Sequence, residues 1–218
     1  RFSREFPQLK GRLYFNHAAV SPLPASVVAA MKRGVSLEAK VPLSPAARRR
    51  WAEIREETRR SAAAFIGAMP ENVAFVQSTS AGLALVALAL PWEKGDAVVT
   101  ASVENPANTN PWQNLAHLGV KVRYLLPDAD DIIDFSKLPS LIDRKTRLVA
   151  VSLANYATGQ RPDLRTIAAL CRSAGVLTVV DGVQGVGAVP FDVSCGIDFV
   201  AFGFQKWLLG PKNIAVLY

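Results

Sequence analysis

From Asn72 onward the chain alternates short runs of β-branched and aromatic residues with stretches of helical length, and this alternation leaves few folds open. Residues 73–77, 96–101, 121–125, 147–153, 176–180 and 198–202 read as strands, and 80–90, 107–118, 136–142 and 163–173 as helices. Parallel neighbours need a crossover of this length, and strands buried on both faces carry near-continuous apolar runs. The pattern therefore predicts a mostly parallel sheet between two layers of helices. The closing run at 214–217 adds one more strand.

The first 70 residues are organised differently. Residues 13–16, LYFN, look strand-like, and the prolines of 17–24 exclude regular helix there. A helix is predicted over 24–40, a proline-rich loop at 41–45 and an amphipathic helix over 46–67 that stops at Gly67, with Trp51, Ile54, Phe65 and Ile66 as its apolar positions. This part is basic: residues 1–60 hold 13 Lys+Arg against 5 Asp+Glu, whereas 61–218 hold 12 against 13. We read the excess as a solvated helix face or a subunit interface rather than a nucleic-acid surface.

Half of the 218 residues are hydrophobic, enough for one α/β core. The longest apolar stretch, 81–92, is too short to span a bilayer. Cys171 and Cys195 have no spacing that suggests a disulfide framework or a metal site. A reducing, cytoplasmic setting is the expectation.

Two runs end in a polar residue beside a glycine-bearing turn. Asp181 follows 176–180 in VVDGVQG, and Lys206 lies just past 198–202 in FGFQKWLLGP. Ligands of open α/β sheets bind outside the carboxyl ends of the strands, so both side chains are expected to face one crevice. An amine and a carboxylate held apart in one cleft suit pyridoxal phosphate (PLP). The lysine forms the Schiff base, and the acid keeps the pyridine nitrogen protonated so that the ring acts as an electron sink. Gln184 is placed to donate to the ring oxygen. Either residue alone is more often a turn cap or a solvated charge; their succession favours the cofactor. The stretch QSTSAG at 77–82 opens a helix with hydroxyl residues, which suits a phosphate but equally suits plain N-capping.

The stretches LYFNHAA, ENPANTNPW, SLANYATG, DGVQ and KWLLGP together resemble the PLP-dependent class V aminotransferase family, which includes cysteine desulfurases, selenocysteine lyases and isopenicillin N epimerase-like enzymes. The resemblance covers essentially the whole chain and is strongest at 176–211. It implies a fold-type I large domain, a mixed, mostly parallel seven-stranded sheet whose last strand is antiparallel. Residues 1–218 would form that domain, with 1–22 as an N-terminal arm and the smaller carboxyl-terminal domain absent. It also implies that Ser78, Thr79 and Ser80 hold the phosphate, that Asn155 joins Gln184 at the ring oxygen, and that Asp181 and Lys206 are catalytic. The substrate would be an amino acid, and the protein a homodimer with no membrane partner.

Two departures stand out. Asn105 occupies the place of the family's stacking histidine, and an amide offers neither an aromatic face nor a titrating proton. Gly203-Phe204-Gln205-Lys206 replaces the family's Ser/Thr-x-His/Tyr-Lys, which removes one hydroxyl contact to the phosphate and leaves Gln205 as a donor. Two readings stay open: a PLP enzyme acting as an aminotransferase, lyase or epimerase, or a catalytically degenerate α/β domain that acts through assembly.

Overall fold

The computed structural model describes residues 2–218. A seven-stranded sheet forms its centre, in the order β1-β7-β6-β5-β4-β2-β3. The strands are β1 (Ala74–Val76), β2 (Ala97–Ala101), β3 (Lys121–Leu125), β4 (Thr146–Ser152), β5 (Leu177–Asp181), β6 (Phe199–Gly203) and β7 (Ala215–Leu217). Only β7 runs against its neighbours, pairing antiparallel with both β1 and β6. The predicted mixed, mostly parallel sheet is thus the observed one, with strand ends shifted by a residue or two.

Every residue of β2 is buried, as expected of a strand covered on both faces. Alternate residues feed two cores. Val99, Val149, Val151, Val180, Val200 and Phe202 pack with Ala63 of α3 (Pro45–Phe65), with Ile66 just past its end, and with Ile167, Ala168 and Cys171 of α7 (Leu164–Ser173). Val98, Leu148, Ala150, Val179 and Ala201 face the other way, toward Leu83, Val86 and Ala87 of α4 (Thr79–Ala89) and toward Trp112. The two faces follow the strand period of two.

α3 starts where Ser44 accepts a hydrogen bond from the Ala47 amide, and its exit is made by Gly67 at φ +70°, a left-handed position that suits glycine. Phe65 is a correction to the expected apolar face: it is 56% exposed, while Ile66 is fully buried. Arg50 spans Glu53 and Glu57, each at 3.1 Å, on the solvent side. α1 (Phe2–Glu5) and α2 (Ala25–Glu38) complete the amino-terminal part, and α2 buries no residue.

Three expectations are corrected. LYFN is not a strand; the Tyr14 hydroxyl bonds to the carbonyls of Asn16 and Val20 and folds the segment onto itself. The expected helix over 107–118 breaks into a 3-10 turn (Pro106–Asn108), α5 (Asn110–Gln113) and a second 3-10 stretch (Asn114–Leu118), because Pro106 and Pro111 each begin a new turn. Pro139 likewise divides 135–141 into a 3-10 turn and α6 (Leu138–Leu141).

α4 lies very close to the sheet. A β-carbon at Gly82 would stand 2.9 Å from the Ala201 β-carbon. The missing side chain lets the amino-terminal end of α4 sit directly over β6.

Candidate active site

At the carboxyl ends of β4, β5 and β6 a cavity of about 160 Å³ gathers Ser78, Thr79, Ser80, Asn105, Ser152, Tyr156, Asp181, Gln184, Gln205 and Lys206. A larger cavity of about 670 Å³ lies elsewhere, between Phe65, the 161–165 segment and residues 186–195. It contains neither Lys206 nor Asp181. The smaller cavity holds the chemistry, and eight of the nine residues singled out from the sequence line it.

Asp181 ends β5 and is 2% exposed; one carboxylate oxygen accepts from the Val183 amide at 2.9 Å. Burial pushes its carboxyl up to about 6, and the nearby Glu104 adds to the rise while the Val183 amide and Lys206 oppose it. Burial holds the Lys206 ammonium below its ordinary value, with Asp181 partly offsetting the effect. The two groups therefore sense one another across the cavity.

Glu104, within ENPANTNPW, is a part of the site that the sequence does not single out. It is buried and accepts from both the amide and the hydroxyl of Ser152. Ser152 is the register partner of Asp181 on the neighbouring strand. Burial raises the Glu104 carboxyl, and the Ser152 bonds pull it back. A second acid thus stands behind the first. Its signal in the sequence was the acidic residue at the end of a strand-following turn.

The hydroxyl residues divide their labour. Ser78 caps α4, accepting from the Ala81 amide at 3.1 Å. Thr79 is 5% exposed, and its Oγ1 is buried without a hydrogen-bond partner. A buried orphan hydroxyl in the first turn of a helix, on a cavity wall, is a ready contact for an anion.

The remaining amides are tied into the framework. Gln184 donates to the Ala18 carbonyl at 3.0 Å and accepts from the Trp207 indole N–H at 3.1 Å. Asn105 accepts from the Ala107 amide at 3.0 Å, capping the Pro106–Asn108 turn. Asn155 is the residue the structure does not bring into the cavity. Its Nδ2 donates to the Val103 carbonyl at 3.0 Å and its Oδ1 accepts from the amides of Ala157 and Thr158, so it staples two loops together while Ala154 and Tyr156 reach the cavity wall. The amino-terminal arm closes the site: the Ser21 amide bonds to the Gln205 carbonyl at 2.8 Å, and His17 sits 5.7 Å from the Trp207 ring.

A lysine and a buried carboxyl at neighbouring strand ends of a mixed, mostly parallel sheet, with a helix amino terminus on the same cavity, are the arrangement of the fold-type I class. The chain belongs to the aminotransferase class-V family, whose family model matches residues 13–218. It is 32% identical over 222 residues to a probable cysteine desulfurase of Methanothermobacter thermautotrophicus, covering 99% of this chain and 54% of the relative. The apo cysteine desulfurase of Thermococcus onnurineus NA1 superposes with a TM-score of 0.90 at 30% identity, over 99% of this chain and 55% of that one. A C-DES variant with glycine covalently linked to its PLP cofactor superposes with a TM-score of 0.89 at 27% identity, over 99% and 58%. The chain spans about half the length of the curated relatives it matches. Among the described residues no helix is long and apolar enough to cross a membrane, and no cluster of metal-ligating side chains occurs.

Proposed function

We propose that residues 1–218 are the PLP-holding large domain of an enzyme that acts on an α-amino acid, in a homodimer. The observation that carries the reading is that Lys206, Asp181 and the orphan hydroxyl of Thr79, in the first turn of α4, line one cavity. The residues fit the group: a nucleophilic amine, a buried acid and an anion seat in one small space. The cofactor linked to glycine in C-DES and the desulfurase names of the relatives support an amino-acid substrate.

When bound, PLP supplies an electron sink for carbanionic charge. Lys206 would hold it through Nζ, and its depressed ammonium suits that amine to moving a substrate's α-proton. Asp181 holds a proton partner at its carboxylate, and Glu104 with Ser152 fixes the strand beside it. Gln184, Gln205 and the amides of the 78–80 turn orient the ring and phosphate. Asn105 cannot titrate, which leaves Lys206 as the only basic side chain among the described residues of the cavity wall.

The test is borohydride reduction of the full-length protein after addition of PLP, followed by peptide mapping. A label on Lys206, lost in Lys206→Ala, is the expected result. A folded protein with no label on Lys206 would overturn the reading in favour of a non-catalytic assembly domain, the alternative that Asn105 and its capping bond motivate.

A further inference from the structure

A second cavity, of about 330 Å³, opens beside the cofactor cleft, with Gln77, Ser78, Gln205, Lys212 and Asn213 on its walls. Ser78 and Gln205 line both spaces, so the partition between them is the amino-terminal cap of α4 and the residue before Lys206. Lys212 is exposed and forms no hydrogen bond or ion pair with any described residue. It sits in a bend shared with Asn213, which is at φ +63° and leads into β7.

Charge decides what this cation is for. A phosphate monoester carries between one and two negative charges at neutral pH. Ser78 and Gln205 of the partition, and Thr79 and Ser80 beside them on the cleft wall, are all neutral. Lys206 is committed to the ring end and shares its charge with Asp181. Among the described residues, Lys212 is the only other cation on the wall of either cavity.

We propose that Lys212 is a further phosphate-binding residue, reaching the anion from the second cavity across the Ser78–Gln205 partition. This rests on the PLP reading above. It also makes the phosphate end of the site depend on a charge outside the cleft itself.

The experiment compares PLP with pyridoxal, which lacks the phosphate, in the full-length wild type, Lys212→Gln and Lys212→Arg, following affinity by absorbance titration. Lys212→Gln is expected to weaken PLP roughly three- to tenfold, the range for losing one partly exposed charge-assisted contact, and to leave pyridoxal unchanged. Lys212→Arg should restore most of the loss. Equal weakening of both ligands, or unchanged PLP affinity with the label still on Lys206, overturns the proposal and leaves the cofactor reading standing. Inorganic phosphate separates the other failure: if no label forms on Lys206, phosphate binding that Lys212→Gln weakens keeps the anion site, and indifference to the variant removes it.

Discussion

Gln205 lies across Gly203: a β-carbon at position 203 would stand 2.3 Å from the Gln205 Oε1 and 3.1 Å from its Nε2. The two departures from the family's Ser/Thr-x-His/Tyr-Lys pattern are therefore one change. Removing the side chain at 203 opens the space that the carboxamide of 205 fills. Gly203→Ser alone is expected to push the Gln205 carboxamide, the end of a flexible side chain, out of this space, costing about 0.5–1.5 kcal/mol of stability and weakening PLP binding. Adding Gln205→Ala should recover most of that cost, and a double-mutant cycle by urea denaturation reads the coupling. Additive effects would show that the amide does not need the space.

Asp181 makes a pH prediction with a definite sign. Its carboxyl in the folded chain titrates at about 6, against an ordinary 3.8. The unfolded chain thus releases this proton first, and the stability it confers in acid is lost as pH rises from about 4 to 6. Asp181→Asn keeps an acceptor for the Val183 amide but removes the buried charge. In PLP-free protein the variant's advantage should grow from near zero below about pH 4 to at most about 3 kcal/mol at neutrality. Urea denaturation across this range checks it; a pH-independent difference would contradict the burial argument. With PLP present the order should reverse, because the variant lacks the charge that holds the pyridinium.

Gly82 links packing to the site. Gly82→Ala forces α4 away from Ala201, and we expect a loss of about 1–3 kcal/mol. Because the same movement shifts Thr79 and Ser80, PLP affinity should fall while pyridoxal affinity falls less. Parallel denaturation and titration separate the two effects.

Much of this was legible in the sequence, and for physical reasons. Strands buried on both faces must be continuously apolar, so 97–101 and 177–181 announce themselves, and ligands gather at the ends of such strands, which points to Asp181 and Lys206. Elements governed by local chemistry were harder. The helix expected over 107–118 gave way because Pro106 and Pro111 outweigh the apolar periodicity around Trp112 and Leu115. Asn155 shows a different limit: an asparagine suits a ligand or a turn equally, and only the Val103 carbonyl 52 positions away shows which use its amide has. The relation of Gly203 to Gln205 depends on side-chain direction, which no spacing rule carries.

The bond from Gln184 to the Ala18 carbonyl joins residues 166 positions apart. Residues around Ala18 thus become a wall of the site only when those near 184 and 205 exist to receive them. Loop closure of that length is entropically costly and late, so the sheet can form before the pocket does. During synthesis, competence to take up the cofactor should therefore arrive in one step once residues near 184 and 205 have emerged, after most of the core is already packed.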